Sequence, residues 1–287
     1  MTVNVDPNLI TIGPFVLSWH GLFSAVGLGA GIWIAVRLLR GSVIPEDEVM
    51  STAFWCTIGG LIGARLFQVV DQWDYYSQRL PQILLLNEGG IAIFGAIVGG
   101  TIGGVAYALV RRLPVGLLLD AGGVGLILGQ AIGRIGDVIN GEHHGLHLPE
   151  GTPWAVTYVH PNTLGEPGVP NHLAVGYEMV WDLFIYGLLL GLWGRLPRPG
   201  MLFWLYLLLY SVGRFFITFV RQDTIIAFGL TQAQLVAIGT TAVAIWALVY
   251  LVTRAAHAPQ APPPAEPPAA TEAPLPAGTG ASSSEPS

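Results

Sequence analysis

From Gly133 to Gly145 an apolar, glycine-rich stretch takes on Arg134, Asp137, Asn140, Glu142, His143 and His144. Guanidinium and carboxamide groups can hold an anion, and the carboxylates and imidazoles beside them can move protons. Two further arginines, Arg65 and Arg214, lie inside apolar segments, and Arg221 follows soon after the second. An arginine at mid-bilayer costs about 2.5–3.5 kcal/mol on insertion scales. Several in one chain imply a polar interior with a counter-anion.

That anion has two sources. Asp120, Asp137, Glu142, Glu178 and Asp182 could supply it internally, as salt bridges that lock helices together. Alternatively it is a bound phosphate, which the planar, permanently charged guanidinium fork fits in bidentate fashion. Taken as a set, arginines beside a carboxamide at one leaflet favour a phospholipid headgroup, with Asn140 and Glu142 orienting it or hydrogen-bonding the arginines. His20, His143, His144, His147, His160 and His172 fall on the same side and His257 in the tail; singly, each reads as an interfacial polar residue. The spacing of His143, His144 and His147 matches no standard zinc pattern, so neither a metal nor a cofactor is expected.

The elements that must position these groups are membrane helices. Of 287 residues, 52% are hydrophobic and 10% charged, against about 25% charged in soluble domains, and the mean hydropathy is +0.59. Every basic side chain is arginine and the net charge is −6, so nucleic acid is not an expected partner. The lone Cys56 excludes an internal disulfide and a cysteine metal cluster and reads as a buried structural thiol. Met1 to Pro14 lacks the basic start and cleavage site of a removable signal peptide, so the first helix is expected to stay.

The expected class is an all-α polytopic membrane protein. A span needs about 20 apolar residues, which gives seven segments near Phe15–Leu39, Ser51–Val70, Ile91–Val110, Val115–Gly133, Gly176–Trp193, Met201–Val220 and Leu230–Thr253. Arg37, Arg40, Arg111, Arg112, Arg195, Arg198 and Arg254 collect on one side, while only Arg79 and Arg221 face the other. Positive charge marks the cytoplasm, so the N-terminus is predicted outside and the C-terminus inside. Residues 141–175 then form a small ordered extracytoplasmic head, and Trp73 to Glu88 an interfacial helix. Small residues at every fourth position (Gly59 and Gly63; Gly95, Gly99 and Gly103; Gly125, Gly129 and Gly133) predict close helix packing in lipid. Residues 1–254 thus make one membrane domain, and 255–287, rich in Pro and Ala, a disordered cytoplasmic tail.

The run Gly133 to Gly145 resembles the signature of the bacterial prolipoprotein diacylglyceryl transferases, Gly-Arg-x-Gly-Asn-Phe-x-Asn-x-Glu-x-x-Gly, keeping Gly133, Arg134, Gly136, Asn140, Glu142 and Gly145. Other landmarks follow in order over Ile12 to about Arg254. Ile12-Gly13-Pro14 with Trp19-His20-Gly21 resembles the family's Ile-Gly-Pro…Trp-Tyr-Gly start. Gly63-Ala64-Arg65 resembles its Gly-x-Arg, and Gly89-Gly90…Phe94-Gly95 its Gly-Gly-x-x-x-His-Gly. His172 with Tyr177-Glu178 resembles His-Pro-x-x-Leu-Tyr-Glu, and Tyr210, Arg214 and Arg221 the Tyr…Arg…Arg of segment six. The resemblance implies transfer of the diacylglyceryl group of phosphatidylglycerol to the lipobox cysteine of a preprolipoprotein, on the outer face of the bacterial plasma membrane. It implies that Arg134 and Arg214 hold the phosphate and that Asn140 and Glu142 support the headgroup. Arg65, Arg221, Tyr210, Tyr177, Glu178 and Asp137 are the remaining expected lipid-binding positions.

Four departures stand out. Phe94 replaces a histidine that could activate the thiol, His20 replaces Tyr, Asp137 replaces Asn, and Thr218 replaces an acid. Phe94 cannot move a proton. His20 first, or Glu142, is the expected base; alternatively the arginines alone lower the thiol pKa, or activity has changed. A transporter or scramblase with an Arg-lined path, and a silent homologue that only binds lipid or lipoprotein, are the other readings. The apolar inner halves of segments three and four, Gly104–Val110 and Val115–Leu119, speak against a through path.

Overall fold

The computed structural model describes residues 1–13, 15–84 and 93–256. Among these, Thr2–Val3 (β1), Asn8–Ile12 (β2) and Phe15–Ser18 (β3) precede the helices Trp19–Leu39 (α1), Glu46–Asp71 (α2) and the short Trp73–Tyr76 (α3). A 3-10 turn, Leu80–Leu84, leads towards Ile93–Val110 (α4) and Val115–Asn140 (α5). Val156–Tyr158 (β4) and Pro170–Asn171 (β5) lie in the following loop, before Ala174–Leu192 (α6) and Met201–Ile217 (α7). The hairpin Ile225–Ala227 (β6) and Leu230–Thr231 (β7) then leads into Gln232–Ala256 (α8).

The protein is a mostly helical, multi-pass membrane protein. Six of the described helices, α1, α2, α5, α6, α7 and α8, are long and apolar enough to cross a bilayer. The expected third segment, α4, offers a shorter apolar stretch, Gly95–Val110.

Two boundaries differ from expectation for physical reasons. Phe15–Ser18 pairs antiparallel with Asn8–Ile12 around Gly13 at φ +59 instead of opening the first helix. Helix α1 starts only at Trp19, where the Ser18 hydroxyl accepts from Gly21 N–H at 3.1 Å, a side-chain N-cap. Helix α5 continues past Gly133 to Asn140 and stops at Gly141, whose φ of +77 suits glycine and whose N–H bonds the Asp137 carbonyl. That left-handed stop satisfies a terminal carbonyl. The whole charged stretch through Asn140 is therefore helical, not the irregular end of a span.

Helix α1 packs along α5, α2 along α4, and α6, α7 and α8 continue from α5. Gly27 lies against the Gly129 backbone and Gly31 against Gly125, while Gly59 and Gly63 meet Gly95, Gly99 and Gly103. Those ridges are the close packing read from the sequence. Gly133 is the exception, since a side chain there would meet open space. A Cβ on Gly99 would lie 2.8 Å from Gly63 Cα, so Gly99→Leu must prise α2 from α4. Overpacking of this kind costs about 1–3 kcal/mol; a lower melting temperature in detergent is expected, while Gly133→Ala should melt as wild type.

The head between α5 and α6 carries the strands that the all-α expectation omitted. It also recruits the N-terminus: β1 pairs parallel with β4, β4 antiparallel with β5, over buried Val3, Val156 and Tyr158. The Met1 amino group donates to Ala155 O at 2.6 Å. Tyr158 donates from its hydroxyl to the Val138 carbonyl at 2.8 Å, and burial pushes its phenol up to about 12, so it stays a neutral donor fastening the head to α5. Within its described part, 73–84, the expected interfacial helix is the short α3 and the Leu80–Leu84 turn. Residues 85–88, the Gly89-Gly90-Ile91-Ala92 part of the third-segment motif and the tail from 257 lie outside the described residues.

Candidate active site

Helix periodicity does the first part of the assembly. On α5, Arg134 and Asp137 sit one turn apart, the spacing at which side chains meet, and Arg134 Nη1 donates to Asp137 Oδ2 at 2.9 Å. Glu178 comes from the start of α6, with Arg214 at the end of α7 and Arg221 just beyond it. Glu178 is 4% exposed and takes all three arginines. Arg134 Nη2 approaches its Oε2 at 2.6 Å, Arg221 Nη1 donates to Oε1 at 3.1 Å, and Arg214 Nη1 bonds the same Oε1. A single carboxylate thus ties α5, α6 and α7 together at the end of the bundle that bears the head.

The counter-anion foreseen for the arginines is therefore on the chain, in Glu178 and Asp137. Arg134 and Arg214, far apart in sequence, are neighbours across Glu178. Their freedom differs from that of Arg221. The side chains of Arg134 and Arg214 keep 18% and 20% exposure, whereas Arg221 keeps 2%. Arg221 is held from its other edge by Asp223, Nε to Oδ2 at 3.0 Å. Asp223 had escaped the sequence reading because it stands in an unremarkable loop; its place two residues after Arg221 was the available signal.

His20, at the start of α1, places Nδ1 2.5 Å from Asp137 Oδ1. The approach depends on Gly136, since a Cβ there would lie 2.5 Å from His20 Cα and 2.9 Å from Trp19 O. Two of the positions at which the chain departs from the family pattern, His20 and Asp137, are thus direct partners. Glu142 Oε2 is 4.0 Å from the same nitrogen. These three residues are a group with metal-binding types. As they stand, His20 and Asp137 are joined by a direct hydrogen bond.

Asn140 and Glu142 contact each other, Asn140 Nδ2 donating to Glu142 Oε1 at 2.8 Å, instead of reaching the arginines. Asn140 is 2% exposed, and its backbone carbonyl accepts from Leu164 N–H at 3.0 Å, so it also fixes the head. Tyr210 stands one turn before Arg214 on α7, its ring 6.1 Å from that of Tyr206.

Other expected site residues lie elsewhere. Arg65 donates from Nε to Ile83 O at 2.8 Å and from Nη2 to Gln82 O at 2.5 Å, with its guanidinium 5.1 Å from the Tyr76 ring centre. It braces the turn after α3. The Tyr177 hydroxyl is 3.3 Å from His172 Nδ1, away from the arginine cluster although Glu178 is adjacent in sequence. Asp120 sits at the opposite end of the bundle, accepting from Gly200 N–H at 2.7 Å and Phe203 N–H at 2.9 Å, which satisfies the free amides at the start of α7. Phe94 lies on the α4 backbone, with its side chain outside the described residues. His144 and His147 both meet Gln222, at 3.0 and 2.9 Å.

Such a cluster can hold an anion on Arg134 and Arg214, backed by an internal carboxylate frame, with an imidazole–carboxylate pair alongside. A family model described as prolipoprotein diacylglyceryl transferase matches residues 7–250. The chain is similar to proteins named phosphatidylglycerol–prolipoprotein diacylglyceryl transferase in several bacteria. The one from Symbiobacterium thermophilum is 38% identical over 88% of this chain and 95% of its own length. That from Dehalococcoides mccartyi is 38% identical over 86% and 94%, and that from a Nostoc species 34% identical over 86% and 90%. With a match reaching from the β2 strand into α8, over the helices that build the cluster, the chain belongs to the prolipoprotein diacylglyceryl transferase family.

Proposed function

We infer that the protein transfers the diacylglyceryl group of phosphatidylglycerol to the lipobox cysteine of a preprolipoprotein, forming a thioether and releasing glycerol phosphate. The observation that carries this, beyond family membership, is the cluster in which Arg134 and Arg214 share Glu178 yet keep exposed edges. Guanidinium donors left over from Glu178 suit the two free oxygens of a phosphodiester. Held in place before the reaction, they stabilise the charge that grows on phosphate as its ester bond to the diacylglyceryl carbon breaks. Glu178 and Asp137 act as the frame that keeps the two arginines aimed, and Arg221, pinned between Glu178 and Asp223, belongs to that frame.

In this reading the chain crosses the bacterial plasma membrane seven times, α4 included, with the N-terminus and head outside. The end bearing Arg37, Arg111, Arg198 and Arg254 faces the cytoplasm. The site then opens at the outer leaflet, where a lipid donor and a lipobox peptide emerging from the membrane can meet.

The test uses the full chain in phosphatidylglycerol vesicles with a lipobox peptide, read by mass spectrometry. A diacylglyceryl adduct on cysteine is expected, and it should disappear when phosphatidylglycerol is replaced by phosphatidylcholine. No adduct from a correctly inserted chain would overturn the activity.

A further inference from the structure

We propose that His20 and Asp137 form a general-base dyad that activates the acceptor thiol, with His20 as the catalytic base and Asp137 as its positioning residue. This rests on the transferase reading above and deepens it.

The pair is built for one direction of proton flow. An ionised carboxylate only accepts hydrogen bonds, so the 2.5 Å contact with Asp137 Oδ1 puts the ring proton on Nδ1. Nε2 is then left with the lone pair, and its nearest described partner is the Ser24 hydroxyl at 3.5 Å, too long to engage it firmly. The His20 side chain is 43% exposed, whereas that of Asp137 is 4% exposed. A buried carboxylate therefore orients a ring whose basic edge is open to a substrate.

Asp137 is itself fixed from its other oxygen by Arg134, which also contacts Glu178. One buried carboxylate thus links the base to an arginine of the anion cluster. The groups facing His20 are Asp137 and Arg134 from α5, Glu142 from the loop after it, and Ser24 one turn along α1. Glu142 accepts from Asn140 at Oε1 and keeps Oε2 4.0 Å from His20 Nδ1, so it is the rival base that the Glu142→Gln comparison below tests. The logic is that of a carboxylate holding an imidazole in one tautomer and stabilising the imidazolium that forms.

The step balances. Nε2 takes the thiol proton, and the thiolate forms a C–S bond at the diacylglyceryl carbon attached to phosphate. The C–O bond breaks with its electron pair going to the phosphate oxygen, and the imidazolium returns its proton to the departing glycerol phosphate. No oxidant, reductant or metal is consumed.

The test compares cysteine and selenocysteine lipobox peptides in phosphatidylglycerol vesicles, because a selenol is already largely ionised and has little need of a base. His20→Gln is expected to lower kcat with the cysteine peptide by about 100-fold or more, the usual scale for a positioned base, and to recover most of it with the selenocysteine peptide. Added imidazole should partly restore His20→Ala. Asp137→Asn is expected to lower kcat about tenfold or more with the cysteine peptide, and to lose proportionally less with the selenocysteine peptide. Full activity of His20→Gln on cysteine, or an equal loss on both peptides, overturns the dyad, as does a thiol-specific loss that appears in Glu142→Gln instead. A wild-type chain that modifies neither peptide overturns the transferase reading and the dyad with it.

Discussion

Glu178→Gln is expected to destabilise the bundle more than any other change at the site. Its carboxylate is the shared partner of Arg134, Arg214 and Arg221, and glutamine keeps the shape while removing the charge. Removing one partner of a buried ion pair typically costs about 3–5 kcal/mol, because the remaining charge is left without compensation. Asp137 and Asp223 still hold Arg134 and Arg221; Arg214 has no such second carboxylate among the described ion pairs. The loss should therefore fall chiefly on the α6–α7 junction. A lower melting temperature in neutral detergent is expected, with partial recovery on adding phosphatidylglycerol, whose phosphate can stand in for the lost anion. Phosphatidylcholine, with no net charge, should restore less. A Glu178→Gln protein that melts with the wild type would show that the junction does not depend on this carboxylate.

The same carboxylate marks where sequence reading stopped. Arg134, Arg214 and Arg221 were legible because guanidinium in an apolar segment is costly and spacing matched a known signature. Their common partner was not, because Glu178, Asp182, Asp137 and Asp120 are equivalent in a string of letters, and only helix packing tells them apart. Asp120 turned out to serve helix termini at the far end, and Asp182, 1% exposed, is buried deeper on α6. The helices themselves were read nearly to their ends from apolar length and glycine spacing. The misses were local. A β-rich run before Trp19 is as apolar as a span, so Phe15–Ser18 merged with the first helix until strand pairing separated them. The contact between His20 and Asp137 joins residues 117 positions apart, and it depends on the glycine seam that lets α1 lie against α5.

Within the family activity, the largest kinetic loss is expected from Arg134→Ala and Arg214→Ala, each reducing transfer by about 100-fold to 1000-fold, the scale of losing one positioned donor to a developing oxyanion. Arg134→Lys should recover little, since an ammonium cannot span Asp137, Glu178 and a phosphate oxygen from one planar group. Arg221→Lys is the informative contrast. Arg221 is 5% exposed and fully occupied by Glu178 and Asp223, so its loss should lower thermal stability first and transfer only through it, with the KM for phosphatidylglycerol nearly unchanged. Arg134→Ala reverses that pattern, because Glu178 keeps two arginines while the phosphate loses one. Measuring melting temperature, kcat and KM for Arg134→Ala, Arg214→Ala and Arg221→Lys separates frame from clamp. If Arg134→Ala and Arg214→Ala kept wild-type turnover in an inserted protein, these guanidinium groups would be helix locks alone and the phosphate would have to be held elsewhere.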